Sequence, residues 1–203
     1  MGLYRRHLQP RLLAAALGDA QTAAIRRRVC AGLVGEVLEV GYGSGLNQPH
    51  LPAAVTAVAA VEPSAVALEL AAGRRAASAV PVAVVGDDAQ RLPLPDDRFD
   101  AALCTWSLCA VPDPLAALRE VRRVLRPGAV LHLVEHGLAP DGGVARAQRR
   151  WSGLNRAVAG CVLDRDVADL VERAGLTWTV LDRSYEPGLP RAARYFYEGR
   201  ATA

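Results

Sequence analysis

Short, almost wholly apolar runs alternate with helix-patterned stretches along most of this chain, and that alternation restricts its fold more than any other feature. Apolar runs lie at 36–40, 55–61, 80–85, 100–105 and 129–135. Between them, residues 64–78 and 114–125 carry apolar residues at helical spacing, and the second stretch meets the breaker Arg126-Pro127-Gly128. Strands apolar on both faces need cover on both faces, which is the situation of a parallel sheet with helices above and below. Residues 11–31 predict a helix before the first strand. Further helices are expected at 144–159 and 166–174, and last strands at 176–181 and 194–197. Residues 140–143 (Pro-Asp-Gly-Gly) form a turn, not a linker. The expectation is one domain over 1–203, with an N-terminal flap and helix (1–31), a ligand-binding core (35–137) and a C-terminal part (138–203).

Composition removes several functions. The sequence has no lysine, which excludes a Schiff-base enzyme and a lysine-dependent phosphate loop. Its four cysteines, Cys30, Cys104, Cys109 and Cys161, include no CxxC pair, so no metal site is expected from spacing. Cys104 falls in a central strand as a core thiol, and reduced cysteines point to the cytoplasm. The runs Arg26-Arg27-Arg28 and Arg149-Arg150 have no interleaved aromatics and read as solvated helix faces, not as a nucleic-acid surface. No signal peptide and no uncharged run of membrane-spanning length is visible.

The loop after the first strand carries Gly41, Gly43 and Gly45. In an open parallel sheet, ligands sit beyond the carboxyl ends of the strands, and glycines there admit close backbone approach. A dinucleotide loop would require glycine at position 46, where Leu46 stands. Glu39, two residues before Gly41, would repel a pyrophosphate and attract a cation. Glu62, at the end of the second strand and followed by Pro63, can accept both hydroxyls of a ribose. After the third strand, Asp88 or Asp87 can accept from an adenine amine; sequence alone does not separate them.

Glu39–Gly45, Glu62-Pro63, Asp88–Pro95, Phe99-Asp100 and Leu125–Gly128 together resemble the motif series of class I S-adenosylmethionine-dependent methyltransferases, in the style of the UbiE-like, type-11 domains. Thr105–Val111, Val134–Gly137, Gly160-Cys161 and Asp164-Arg165 resemble more narrowly the branch containing alkyl-thiol methyltransferases. The resemblance implies an α/β, Rossmann-like fold with a mostly parallel seven-stranded sheet, an antiparallel last strand and helices on both faces. It implies S-adenosylmethionine as cofactor and a small-molecule acceptor, with a hydrophobic thiol as the narrow reading. Glu39, Gly41, Gly43, Gly45 and Asn47 would hold the methionine end, Glu62 and Pro63 the ribose, Asp88 and Ala89 the adenine, and Thr105 and Trp106 the methyl-transfer zone.

On the acceptor side, His136 is the first candidate for a base, because it follows the fifth strand at the ligand-facing end. Glu135 is equally placed, and strand alternation lets only one of the two face the pocket. Cys109 is expected as a pocket wall, and Tyr4 and His7 as parts of a flap over the pocket. Competing readings are a quinol, phenol or ring-carbon acceptor, a nicotinamide-dependent oxidoreductase, and a cofactor-binding protein without catalysis.

Overall fold

The computed structural model describes residues 2–188 and 190–203; Met1 and Leu189, within the expected 1–203 domain, lie outside the described residues. Among the described residues, seven strands form one sheet in the order β3-β2-β1-β4-β5-β7-β6. They are β1 (Gly35–Val40), β2 (Val55–Val61), β3 (Val82–Gly86), β4 (Phe99–Thr105), β5 (Leu125–His136), β6 (Thr177–Tyr185) and β7 (Tyr195–Thr202). Strand β7 runs antiparallel to both neighbours, and every other pairing is parallel. The expected topology is the observed one.

Among the described residues, six α-helices cover the sheet: α1 (Gln9–Ala16), α2 (Ala20–Cys30), α3 (Ala65–Ala77), α4 (Pro114–Val124), α5 (Gly142–Val158) and α6 (Val167–Arg173). Alternation along the strands divides the core in two. Leu38, Val40, Phe99, Ala102, Leu131 and Leu133 pack with Leu118 and Val121 of α4 and Val171 of α6. Val37, Ala101, Leu103 and Val134 point the other way, against Ile25, Val29 and Cys30 of α2.

The N-terminal region differs from expectation. Residues 4–8 form a π-helical turn that runs into α1, and Pro10 sits in that helix's first turn, where its missing N–H costs nothing. The single helix expected at 11–31 is two. Leu17 and Gly18 end the first, and Asp19 opens the second by accepting from Thr22 N at 2.7 Å. The α4 helix ends at Val124, and Pro127-Gly128 lies inside β5, at a register irregularity where Gly128 adopts φ +80°. Strand β7 extends to Thr202 because it pairs with β5 on one side and β6 on the other.

Candidate active site

Strand order reverses between β1 and β4, so the crevice of the sheet opens beyond Val40 and Thr105. Residues 39 and 105 share the face that looks toward α2. Glu39 is fully buried there. Asn47 donates to Glu39 Oε1 at 2.7 Å and to Thr105 Oγ1 at 3.0 Å. Arg26 of α2 completes the group, donating to Asn47 Oδ1 at 2.7 Å and to Thr105 Oγ1 at 3.1 Å, with its guanidinium 4.8 Å from the Trp106 ring. Arg26 is only 5% exposed, which corrects the reading of Arg26–Arg28 as a solvated run. Its neighbour Arg28 pairs with Glu198 at 2.7 Å. The signal for Arg26 was available in the sequence: Thr22, Arg26 and Val29 fall on one helical face.

Burial pushes the Glu39 carboxyl up to about 7, while the Asn47 amide and the Arg26 charge pull it down. Burial likewise lowers Arg26 to about 10, against the pull of Glu39. Oxygen Oε2 of Glu39 is buried without a protein partner, as is Nε1 of Trp106. Trp106 itself adopts φ +51°, a left-handed conformation that a non-glycine residue holds only when its surroundings fix it.

The glycine loop adopts positive φ at all three positions, +73° at Gly41, +56° at Gly43 and +73° at Gly45. Glu62 ties the loop to β2. It accepts from Gly43 N at 2.7 Å through Oε2 and from Ser64 N at 2.8 Å through Oε1. Its carboxyl is raised, by burial first, against those two backbone bonds. A side chain at Gly43 would find no atom closer than 3.9 Å, so the space above the loop is open. Pro63 and Asp88 are exposed, and Ala89 is buried. The Asp88 carboxylate accepts from Gln90 N at 2.9 Å and is held below its ordinary range by Gln90.

Glu135 and His136 point to opposite faces, as alternation requires. Glu135 is fully buried and accepts from the backbone N–H groups of Ser107 (2.6 Å), Leu108 (2.9 Å) and Cys109 (3.3 Å), and from the Cys104 thiol (3.4 Å). Its acceptors are spent on holding the loop after β4. His136 stacks edge-on to Phe196 at 4.9 Å, and Phe196 meets Trp106 at 5.8 Å. Burial lowers the His136 imidazole to about 4, so the ring is neutral at physiological pH. Cys109 is buried and lies beside it. Tyr4 donates from its hydroxyl to Val158 O at 2.8 Å, and Gln9 donates to the same oxygen at 2.9 Å, so the N-terminal segment lies over the end of α5. His7 is exposed on that segment. A 350 Å³ depression lined by Asp96, Arg122, Pro127 and Ala203 lies at the opposite end of the sheet, away from this crevice.

The methyltransferase domain family matches residues 38–133. The chain is 31% identical over 161 residues to thiol S-methyltransferase TMT1B of Homo sapiens, covering 74% of this chain and 64% of the relative. It is 43% identical over 102 residues to the demethylmenaquinone methyltransferase of Mycolicibacterium paratuberculosis, covering 47% of this chain and 44% of that protein. The chain thus spans less than two thirds of the length of these curated relatives. In structure it resembles a SAM-dependent methyltransferase, possible histamine N-methyltransferase, from Thermotoga maritima, with a TM-score of 0.67, 23% identity and coverage of 95% and 93% of the two chains. Together with the crevice at β1 and β4, these similarities show that residues 38–133 resemble the methyltransferase domain family and that the chain carries the Rossmann-like fold of its structural neighbours.

Proposed function

We propose that this protein transfers a methyl group from S-adenosylmethionine to a small-molecule acceptor, with a hydrophobic thiol as the preferred class. The observation that carries the reading is the pair of buried carboxylates around an open glycine loop. Among the described residues, Glu39 Oε2 has no protein partner, each Glu62 oxygen accepts one bond, and a Cβ at Gly43 would meet no atom closer than 3.9 Å. Such a cradle suits a cationic nucleoside and disfavours a dinucleotide.

When bound, the cofactor supplies an electrophilic methyl carbon on a positively charged sulfur. The chain's residues do the rest. Glu39 and the Gly41–Gly45 backbone would hold the amino-acid end, with Asn47 and Arg26 fixing Glu39. Glu62 and Pro63 would hold the ribose, Asp88 and Ala89 the adenine, and Thr105 and Trp106 would border the methyl group. Alignment of donor and acceptor of this kind contributes up to about 7–11 kcal/mol. His136, neutral and with Nδ1 unpartnered, is placed to take the acceptor's proton, and Cys109 to wall the acceptor side. Glu135 is left with positioning the loop after β4. The N-terminal segment with Tyr4 and His7 would form the cover. We further propose that 1–203 acts as one domain, in the cytoplasm, with no nucleic-acid partner. Among the described residues, no helix is long and apolar enough to cross a membrane.

The thiol preference draws on similarity to the TMT1B relative. The second reading, a quinol or phenol oxygen or a ring carbon, draws on similarity to the demethylmenaquinone methyltransferase. Release of S-adenosylhomocysteine across a panel of thiols, phenols, quinols and amines tests both. Turnover of an alkyl thiol above the other classes is expected. Turnover of quinols alone replaces the thiol reading, and absence of cofactor binding defeats both.

Glu39 gives a pH signature. Its folded value of about 7 lies above the ordinary 4.5, so the stability of the unliganded fold falls as pH rises from about 4.5 to 7 and levels off above 7, and a bound cation offsets that penalty. Below pH 7 the ligand must displace a proton. Affinity is therefore expected to fall by up to about tenfold per unit between pH 7 and 5.5, below the titration of the ligand's own amino group. Calorimetry in buffers of different ionisation enthalpy should show close to one proton released at pH 6. Glu39→Gln should flatten the profile; a profile that stays steep in that variant refutes the assignment.

A further inference from the structure

Three soft ligands meet where no spacing rule would place them. Cys109 lies in the loop after β4, His136 ends β5, and Cys161 lies in the connection between α5 and α6. A sulfur of each cysteine and a ring nitrogen of the histidine all lie within 4.8 Å of one another. We propose that Cys109, Cys161 and His136 form a binding site for a thiophilic divalent cation of the zinc class, with a fourth position left to an exogenous ligand.

The donor set matches the chemistry. Two thiolates and one neutral imidazole balance a doubly charged ion, and Cys₂His with an open position is a known arrangement for catalytic zinc. With Zn–S near 2.3 Å, a tetrahedral site sets its sulfurs about 3.8 Å apart. The ligand atoms, all within 4.8 Å of one another, therefore need to draw in by no more than about 1 Å, within reach of side-chain rotation. Nitrogen Nδ1 of His136 is buried and makes no hydrogen bond, a cost that a metal bond to the ring would offset or that a proton on Nε2 leaves standing.

The frame is built rather than incidental. Val162 N donates to Cys109 O at 2.9 Å, which pins the two cysteine segments together by backbone. Asn155 of α5 donates to Cys161 O at 2.7 Å. The Cys109 N–H is held by buried Glu135, and Arg165 donates to Leu108 O beside it, so a negative and a positive group flank the cluster. Cys109 is buried, whereas Cys161 and His136 are partly accessible, which leaves a path for an ion and its fourth ligand. Oxidation of the two thiols to a disulfide is the competing use of the same proximity.

A metal on the His136 ring and proton uptake by the same nitrogen exclude each other, so the metal-loaded state would take His136 out of the base role proposed above; the test therefore reads binding, not turnover. The full chain is reduced, stripped with a chelator, loaded with zinc or cobalt chloride and passed through gel filtration. Retention of about one equivalent is expected, with a thiolate-to-cobalt charge-transfer band in the near ultraviolet. Even the partners behind a ligand are worth about 10–100-fold in metal affinity, so Cys161→Ser and His136→Gln should weaken zinc by more than that. Cys161→Ser should also lose about half the charge-transfer intensity, and zinc should raise the melting temperature of the parent chain only. Failure of the parent to retain metal, equal retention by both variants, or a Cys109–Cys161 disulfide in protein isolated without reductant would overturn the proposal.

Discussion

Glu62→Gln should weaken S-adenosylmethionine binding by more than about 100-fold. Two hydrogen bonds from ribose hydroxyls to a carboxylate contribute roughly 1.5–3 kcal/mol each, and 1.4 kcal/mol is a factor of ten. The substitution also acts on the protein itself. Both Glu62 oxygens accept from backbone, Gly43 N on one side and Ser64 N on the other. An amide can offer an oxygen to only one of them and must turn a donor toward the other. The loop loses its tether and the ligand its anchor together. Asp88→Asn is the contrast, because Asp88 is exposed and among the described residues its hydrogen-bond partner is Gln90 alone, so its loss should cost far less. Calorimetric titration of both variants measures this. Binding by Glu62→Gln within threefold of the parent would remove Glu62 from the site.

Gly41→Ala should lower the stability of the unliganded protein by about 2–5 kcal/mol. Left-handed φ at +73° costs an alanine roughly 1–2 kcal/mol. Its new methyl would also overlap the side chain of Ser107, which itself hydrogen-bonds to Gly41 O and Thr105 O, and overpacking of this kind costs about 1–3 kcal/mol. For a chain of this size that corresponds to a fall in Tm of roughly 5–15 °C. Adding Ser107→Gly should restore the steric part and leave the backbone part. Gly43→Ala should behave differently: the fold tolerates it at the cost of its φ alone, while the methyl enters the open space and blocks the ligand. Equal melting temperatures for Gly41→Ala and the parent would show that β1 and β4 do not approach each other at this loop as closely as described.

The strands and the glycine loop were legible because their signals are local. An apolar run ending in three glycines needs no tertiary knowledge, and Glu39 and Glu62 follow from position relative to it. The composition of the charged run 26–28 outweighs the phase of the helix in a sequence reading, although Arg26 shares its helical face with buried Thr22 and Val29. Glu135 carried no sequence signal distinguishing a base from a backbone acceptor; only the approach of the Ser107–Cys109 loop decides it. The meeting of Cys109, His136 and Cys161 is legible only in three dimensions, since intervals of more than twenty residues between ligands match no chelating motif.

The antiparallel placement of β7 has a consequence for the emerging polypeptide. Strand β5 is central in the finished sheet, yet its partner on one side is made about sixty residues later. At roughly 5–20 residues per second, ribosomal synthesis leaves that row of amides and carbonyls without its mate for several seconds. A bare apolar border of this kind is a template for wrong pairing between neighbouring nascent chains. Yield in the cell should therefore depend on how fast the last segment is translated and on what shields the half-made sheet until it arrives.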